Sequence, residues 1–227
     1  MNRASFKKTL HRFLPVAFFL PWLWVPSAPA VTVEGVLKHM SDTYARVETY
    51  QTEVEEQTHE AGGAVKRRLF LYSFQKPNRI RLDFRSPHPG MTLVYPDHKG
   101  RVVVRPSGWA GFMTWRLAPG SFFLKVSSGQ RIDETDMGRL IENITGSVTV
   151  KKRGPLKLWV AEGQIRIRVI SENHFREGVL TRYIFGIGRR SWLPVFLEEA
   201  RVDGLLERTV RFRRLVVNPG FPEGFFE

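Results

Sequence analysis

Cysteine is absent from this chain of 227 residues. That excludes a disulfide-stapled scaffold, a Cys-ligated zinc centre and a thiol nucleophile. Acids are scarce beside bases, 22 Asp+Glu against 35 Lys+Arg, for a formal charge of +13. No apolar stretch reaches the roughly 20 residues that a membrane-crossing helix needs. Strands and helices do not alternate in a βαβ rhythm, and no repeat of roughly 20–50 residues is visible, which argues against parallel α/β sheets and solenoids. Low-complexity linkers are also missing, so nothing separates domains. The 17 Phe, 6 Trp and 5 Tyr exclude a disordered chain, which would be poor in such residues. A domain of this size buries about 70% of its unfolded surface, enough for one large core.

What is present begins with an address. Arg3, Lys7, Lys8 and Arg12 precede an apolar run of 13 residues, Phe13 to Val25, and Ala28-Pro29-Ala30 supplies small residues at a cleavage site. The three parts together predict a secretory signal peptide over residues 1–30. The run is short and holds Pro15 and Pro21, so a retained anchor is the lesser alternative. Cleavage would leave a soluble single domain, 31–227. Residues 1–30 hold four of the cations and no acid, so the remainder carries 31 cations against 22 acids, a formal +9. Those cations are dispersed and form no run of about 5–8 bases, so nucleic acid is not expected as a partner. Anionic lipid headgroups or acidic envelope polymers are the alternative to a charge that serves solubility alone.

Val33, Val36, Leu37, Met40, Tyr44 and Val47 fall on one face of a predicted helix, with Thr32 as its cap. A second helix is predicted from a cap at Asp133 to a stop at Gly146, with the stripe Met137, Leu140, Ile141 and Ile144. Almost everything else alternates with period two. Arg79–Arg85 puts Ile80, Leu82 and Phe84 one way and Arg79, Arg81 and Asp83 the other, and Phe70, Tyr72 and Phe74 share a face in the preceding run. Asp203-Gly204 is a strong hairpin signal. The expected fold is α+β: a curled antiparallel sheet of about ten strands, a half-barrel, with two amphipathic helices closing its concave apolar side. Such curling leaves a hollow to be filled by aromatics or by a ligand.

The search for chemistry returns little. His39, His59, His88, His98 and His174 show no metal-ligand spacing; His88 and His98, in neighbouring turns, are read as solvated. Ser107 lacks the frame of a nucleophile elbow, and Gly186-Ile187-Gly188 lacks that of a dinucleotide loop. Glu53, Glu55 and Glu56 read as strand residues near solvent, and Glu198 and Glu199 as surface charges facing Arg201. No catalytic residue, cofactor or metal is therefore expected, and the chain is not read as an enzyme.

Several short motifs fall in a telling order. Lys76-Pro77-Asn78-Arg79-Ile80-Arg81 resembles the strand-entry motif of the LolA-like periplasmic lipoprotein carriers. Asp97-His98-Lys99-Gly100 with Val102-Val103-Val104 and Pro106 resembles their hairpin ending in proline, and Leu193-Pro194-Val195, Asp203-Gly204 and Phe212 resemble their closing hairpin. Asn218-Pro219, Phe221-Pro222 and Phe225 resemble the tail of LolA-like proteins outside the best-known carriers. The resemblance covers nearly all of residues 33–226. It implies a periplasmic, monomeric carrier or chaperone that takes acyl chains of lipoproteins or lipids into an apolar trough. An inner-membrane exporter would load it, and an outer-membrane acceptor would receive the cargo.

On that reading Phe70, Phe74, Ile80, Leu82, Phe84, Val103 and Ile167 line the trough, and Leu37, Met40, Met137 and Ile141 close it from the helices. The resemblance makes Arg81 a candidate for lid control. If Ile80, Leu82 and Phe84 line the cavity, Arg81 falls on the outer face and that role does not carry over; if Phe84 packs outside instead, Arg81 lies inside. Trp109 and Phe112, in the aromatic segment 109–115, are candidates for membrane contact, with burial in the core the alternative. A second class of function is an envelope sensor or interaction domain, like the envelope-stress regulators that share the fold. Those carry a further C-terminal domain, for which no room is expected after Glu227.

Overall fold

The structure, a computed structural model, describes residues 31–60, 62–108, 111–121 and 130–227. Helix α1 (Val33–Ala45) starts where Thr32 Oγ1 accepts the Gly35 amide at 3.1 Å. A side-chain oxygen there satisfies an amide that would otherwise lack a partner at the helix start. Strands β1 (Thr49–His59), β2 (Val65–Gln75), β3 (Arg79–Ser86), β4 (Thr92–Tyr95), β5 (Val102–Arg105) and β6 (Trp115–Leu117) follow. A short 3-10 helix (Ile132–Glu134) leads into α2 (Met137–Val148). Strands β7 (Lys157–Ala161), β8 (Gln164–Glu172), β9 (Leu180–Gly188), β10 (Pro194–Arg201) and β11 (Leu206–Val217) complete the order.

The eleven strands form one antiparallel sheet, unclosed, in the order β6-β5-β4-β3-β2-β1-β11-β10-β9-β8-β7. Successive strands are neighbours except β6 and β7, which form the two edges, and at the centre β1 pairs with β11 and so joins a β1–β6 half to a β7–β11 half. The architecture is the expected one: an open, curled antiparallel sheet with two helices. Strand β6 was not expected. It is only three residues long and follows a stretch of glycine and proline, so it offers no period to read.

The sheet has an inner face that carries the core. The largest fully buried side chains, among them Tyr50, Phe74, Phe185, Ile80 and Ile167, lie on it with Val36 and Met40 of α1 and Met137 and Ile144 of α2. Both helices therefore bury their stripes on one side of the sheet. Helix α2 starts later than the sequence suggests. Asp136, not Asp133, caps it, its Oδ1 accepting the Gly138 amide at 2.7 Å and the Arg139 amide at 3.1 Å. Asp133 is spent in the 3-10 helix instead. Gly146 does not end α2, which runs on to Val148.

The tail after β11 returns over the outer face. Asn218, at φ 53°, turns the chain and accepts the Glu48 and Thr49 amides on Oδ1 at 2.8 and 3.2 Å. Phe221, Phe225 and Phe226 then pack on Val94 and Val103 in a second, smaller cluster.

Candidate functional site

Cross-strand register arranges the inner face of the β1–β6 half in rows. Tyr50, Phe74 and Ile80 make one row, next to α1 and α2. It is filled: Tyr50 stacks on Phe74 and on Tyr72 at 5.0 and 5.8 Å, and its hydroxyl accepts the Met137 amide at 2.9 Å. The next row is Tyr72, Leu82, Leu93, Val104 and Trp115. The third is Phe212, Val54, Phe70 and Phe84, and a fourth, Val210, Glu56 and Arg68, ends the series.

Over the second, third and fourth rows the inner face is an open cleft of about 640 Å³. Phe70, Phe84, Leu82, Met91, Leu93 and Phe212 give it apolar walls, Trp115 and Leu117 stand at the edge strand, and Ile132 and Thr135 lead from it toward α2. The Tyr72 hydroxyl meets Thr135 Oγ1 at 3.1 Å, so the cleft is tied to the start of α2. Burial pushes the Tyr72 hydroxyl far above the ordinary phenol range, and it stays protonated. Apolar walls with a few polar groups in a volume of this order, within the ~300–1,000 Å³ typical of small-molecule sites, suit an apolar ligand.

The residues named from sequence divide into three groups. Phe70, Leu82 and Phe84 line the cleft. Phe74, Ile80, Ile167, Met40, Met137 and Ile141 are buried in the filled core, where side chains already occupy the space between helices and sheet, and Leu37 packs against that core. They are not at the cleft. Val103 is on the outer face, under Phe226, because its neighbours Val102 and Val104 point inward. Arg81 is outside as well. Alternation with Ile80 and Leu82 turns it to the outer face, where its guanidinium pairs with Asp83 at 2.9 Å, donates to the Phe225 carbonyl at 2.9 Å and lies over the Phe225 ring. There it ties the tail to the outer face, away from the side of the sheet that carries the helices. Phe112 is 81% exposed, whereas Trp109 lies outside the described residues.

Sequence reasoning missed the charges beneath the cleft. Glu56, Glu199 and Arg208 are 2%, 5% and 8% exposed, not surface groups. Arg208 Nε donates to Glu56 Oε1 at 2.8 Å and its Nη1 meets Glu199 Oε1 at 3.5 Å, while Arg68 approaches the other oxygen of Glu56 at 3.5 Å. Burial raises the Glu199 carboxyl against the opposing pull of Arg208. The signal was in the parity of the strands: Glu56 shares a face with Val54, Glu199 with Leu197, and Arg208 with Val210 and Phe212. Glu199 and Arg208 also border a smaller pocket of about 170 Å³ with His59, Arg176 and Glu207. Its charges alternate in sign and pair internally, as in Arg176 with Glu207, so it has no one-signed or apolar character.

Two further placements bear on chemistry. His174 Nε2 is 2.7 Å from Ser147 Oγ, and its Nδ1 is 3.4 Å from the Lys151 ammonium. Burial, with that ammonium second, holds the imidazole down at about 4, so it is neutral at pH 7. Among the described residues no group of three or more His, Asp or Glu side chains converges as metal ligands would, and no helix is long and apolar enough to cross a membrane.

No family model matches the sequence, and no curated protein matches it. Several solved structures are similar to it. A LolA superfamily protein from Nitrosomonas europaea is 10% identical over 87% of this chain and 98% of its own, with a TM-score of 0.40. A putative outer membrane lipoprotein-sorting protein domain from Vibrio parahaemolyticus is 15% identical over 86% and 97%, with a TM-score of 0.42. The MucA/MucB complex of Pseudomonas aeruginosa contains a chain 14% identical over 85% of this one and 59% of its own, with a TM-score of 0.44.

Proposed function

We propose that this protein is an exported carrier that holds the acyl part of a lipid or lipoprotein in the open half of its sheet. The observation that supports this is the cleft itself, about 640 Å³ walled by Phe70, Leu82, Phe84, Leu93 and Phe212. Transfer of a hydrocarbon chain from water to such a surface gains about 0.8 kcal/mol per CH₂, so one chain supplies useful affinity without any covalent step. The cleft is open to solvent, which lets a chain enter and leave. The filled part of the core, with both helices, is the scaffold that keeps it in shape. Residues 1–30 would direct the chain to the periplasm, where an exporter and an acceptor membrane would be its partners.

The test has two parts. Protein purified from periplasmic extract is analysed by native mass spectrometry and the bound material extracted and identified. Titration with a fluorescent long-chain lipid then compares the parent chain with Leu82→Trp, which places an indole in the cleft. Co-purifying acyl lipid and a loss of affinity of about tenfold or more in the variant are expected. Absence of any bound amphiphile in both experiments would remove the proposal.

A further inference from the structure

The cleft is not electrically even. Apart from Tyr72, which stays protonated, the titratable side chains that line it are four basic, Lys66, Arg67, Arg68 and His88, and one acidic, Glu56. All five sit at one end. Lys66, Arg67 and Arg68 follow one another at the start of β2, Glu56 pairs with Arg68 across to β1, and His88 lies in the turn just beyond the end of β3. The other end, toward β4, β5 and β6, is lined by Leu93, Val104, Trp115 and Leu117.

The single carboxylate does not cancel this charge. Glu56 is engaged by the buried Arg208 at 2.8 Å, the closer of its two partners. Lys66 pairs with Glu60 at 2.5 Å, but both groups are largely in water, where such a pair is weak and readily exchanged. Arg67 is exposed and makes no ion pair among the described residues. An apolar trough with a basic mouth at one end matches an amphiphile whose chain lies along the phenyl rings of Phe70 and Phe84 and whose head is anionic. An uncharged head would leave Arg67 without an ionic partner among the described residues.

From this polarity we infer that the ligand of the cleft carries an anionic head, a carboxylate or a phosphate, held by Lys66 and Arg67 with Arg68 behind them. The inference rests on the acyl-binding reading above and adds the class of headgroup to it. Arg68 is the deepest of the three and is already oriented by Glu56, so it sets the depth at which the head stops. Lys66 and Arg67 are flexible and exposed, which suits capture at the rim.

The experiment is a binding titration with four probes on the full chain: a long-chain fatty acid, the alcohol of the same chain length, a lysophosphatidylglycerol and a lysophosphatidylcholine. The parent is compared with Lys66→Gln/Arg67→Gln, two exposed changes at a strand end that leave the core untouched. The acid is expected to bind at least about tenfold more tightly than the alcohol, a ratio that shrinks at high salt and collapses in the double variant. Preference for the fatty acid alone assigns a carboxylate head, and preference for lysophosphatidylglycerol over lysophosphatidylcholine assigns a phosphate; either supports the inference. Equal affinity for acid and alcohol in the parent overturns it and leaves the acyl-binding reading standing. Failure of all four probes to bind overturns both.

Discussion

Replacing Arg208 with Met is the most demanding test of how the cleft is built. The guanidinium stands 2.8 Å from Glu56 and 3.5 Å from Glu199, and all three side chains are almost wholly buried. At an effective dielectric near 20 the two attractions are about 6 and 5 kcal/mol before desolvation. Desolvation of three ions costs several kcal/mol each, so the intact cluster is near neutral in net terms. Its rupture is not neutral. Two carboxylates would be left buried, Glu56 with Arg68 nearby and Glu199 with the more distant pull of Arg176, and the expected loss is about 3–5 kcal/mol. Urea unfolding followed by tryptophan fluorescence measures it. The loss should also depend on pH. Burial already raises Glu199, and without Arg208 it rises further, so the folded variant takes up protons more readily than the unfolded chain. Its stability therefore recovers as the pH falls from about 7 toward 5. The triple change Glu56→Gln/Glu199→Gln/Arg208→Met, which removes every charge of the cluster, should cost far less than Arg208→Met alone. A loss under about 1 kcal/mol at neutral pH, or a loss of equal size at pH 5, would refute this account.

Three other expectations concern the frame around the cleft. His174, held at about 4 against an ordinary 6.5, favours folding above 6.5, and that stability is lost as the pH falls toward 4. The full shift corresponds to about 3.4 kcal/mol, which half-exposure reduces to about 1–2; an NMR titration midpoint near 6.5 would contradict it. Asn218 combines a left-handed backbone with two accepted amides. Asn218→Gly should cost about 1 kcal/mol for the lost bonds, and Asn218→Ala about 1 kcal/mol more for the strained backbone, so equal effects in thermal melts would argue against the capping role. Phe226→Ala should cost about 2–4 kcal/mol by emptying the outer cluster and should leave lipid binding unaltered, because Val94 and Val103 lie on the opposite face from the cleft.

The two-residue period made most of the sheet legible, since a strand with one buried face must alternate. From Ile80, Leu82 and Phe84 alone it follows that Arg81 points away from them, and the structure has it on the outer face. The same parity, applied to Glu199 and Leu197 or to Glu56 and Val54, would have revealed the buried charges; a glutamate is simply expected outside unless a partner is known, and Arg208 is remote in sequence. Helix α2 was misplaced at its start because Asp133 and Asp136 are equally good caps by type, and the 3-10 helix that takes up Asp133 is followed by a tertiary contact, Tyr72 with Thr135, that no local pattern shows. The division of the inner face into filled and open parts could not be read at all. Phe74 and Phe70 are alike in type and share a face four residues apart, yet one is core and the other lines the cleft.

That division has a physical origin in where the helices sit. Helix α2 rests against β8 and β10, and α1 against α2, so the apolar stripes of both are spent on the β7–β11 half and on the row Tyr50, Phe74 and Ile80. The remaining rows of the β1–β6 half receive no helix among the described residues. They are lined instead by rings and branched side chains whose combined width leaves the 640 Å³ unfilled. The stack of Tyr50 on Tyr72 marks the border, one ring hydrogen-bonded into α2 and the other at the wall of the cleft. Any ligand that presses on Tyr72 therefore pushes on the start of α2 through Thr135 and through Tyr50. Occupancy of the cleft and the stability of the first turn of α2 are coupled by this pair, and amide exchange at Met137 and Gly138 should slow when a fatty acid binds. Unchanged exchange at these amides with the cleft saturated would mean that the two halves of the inner face act independently.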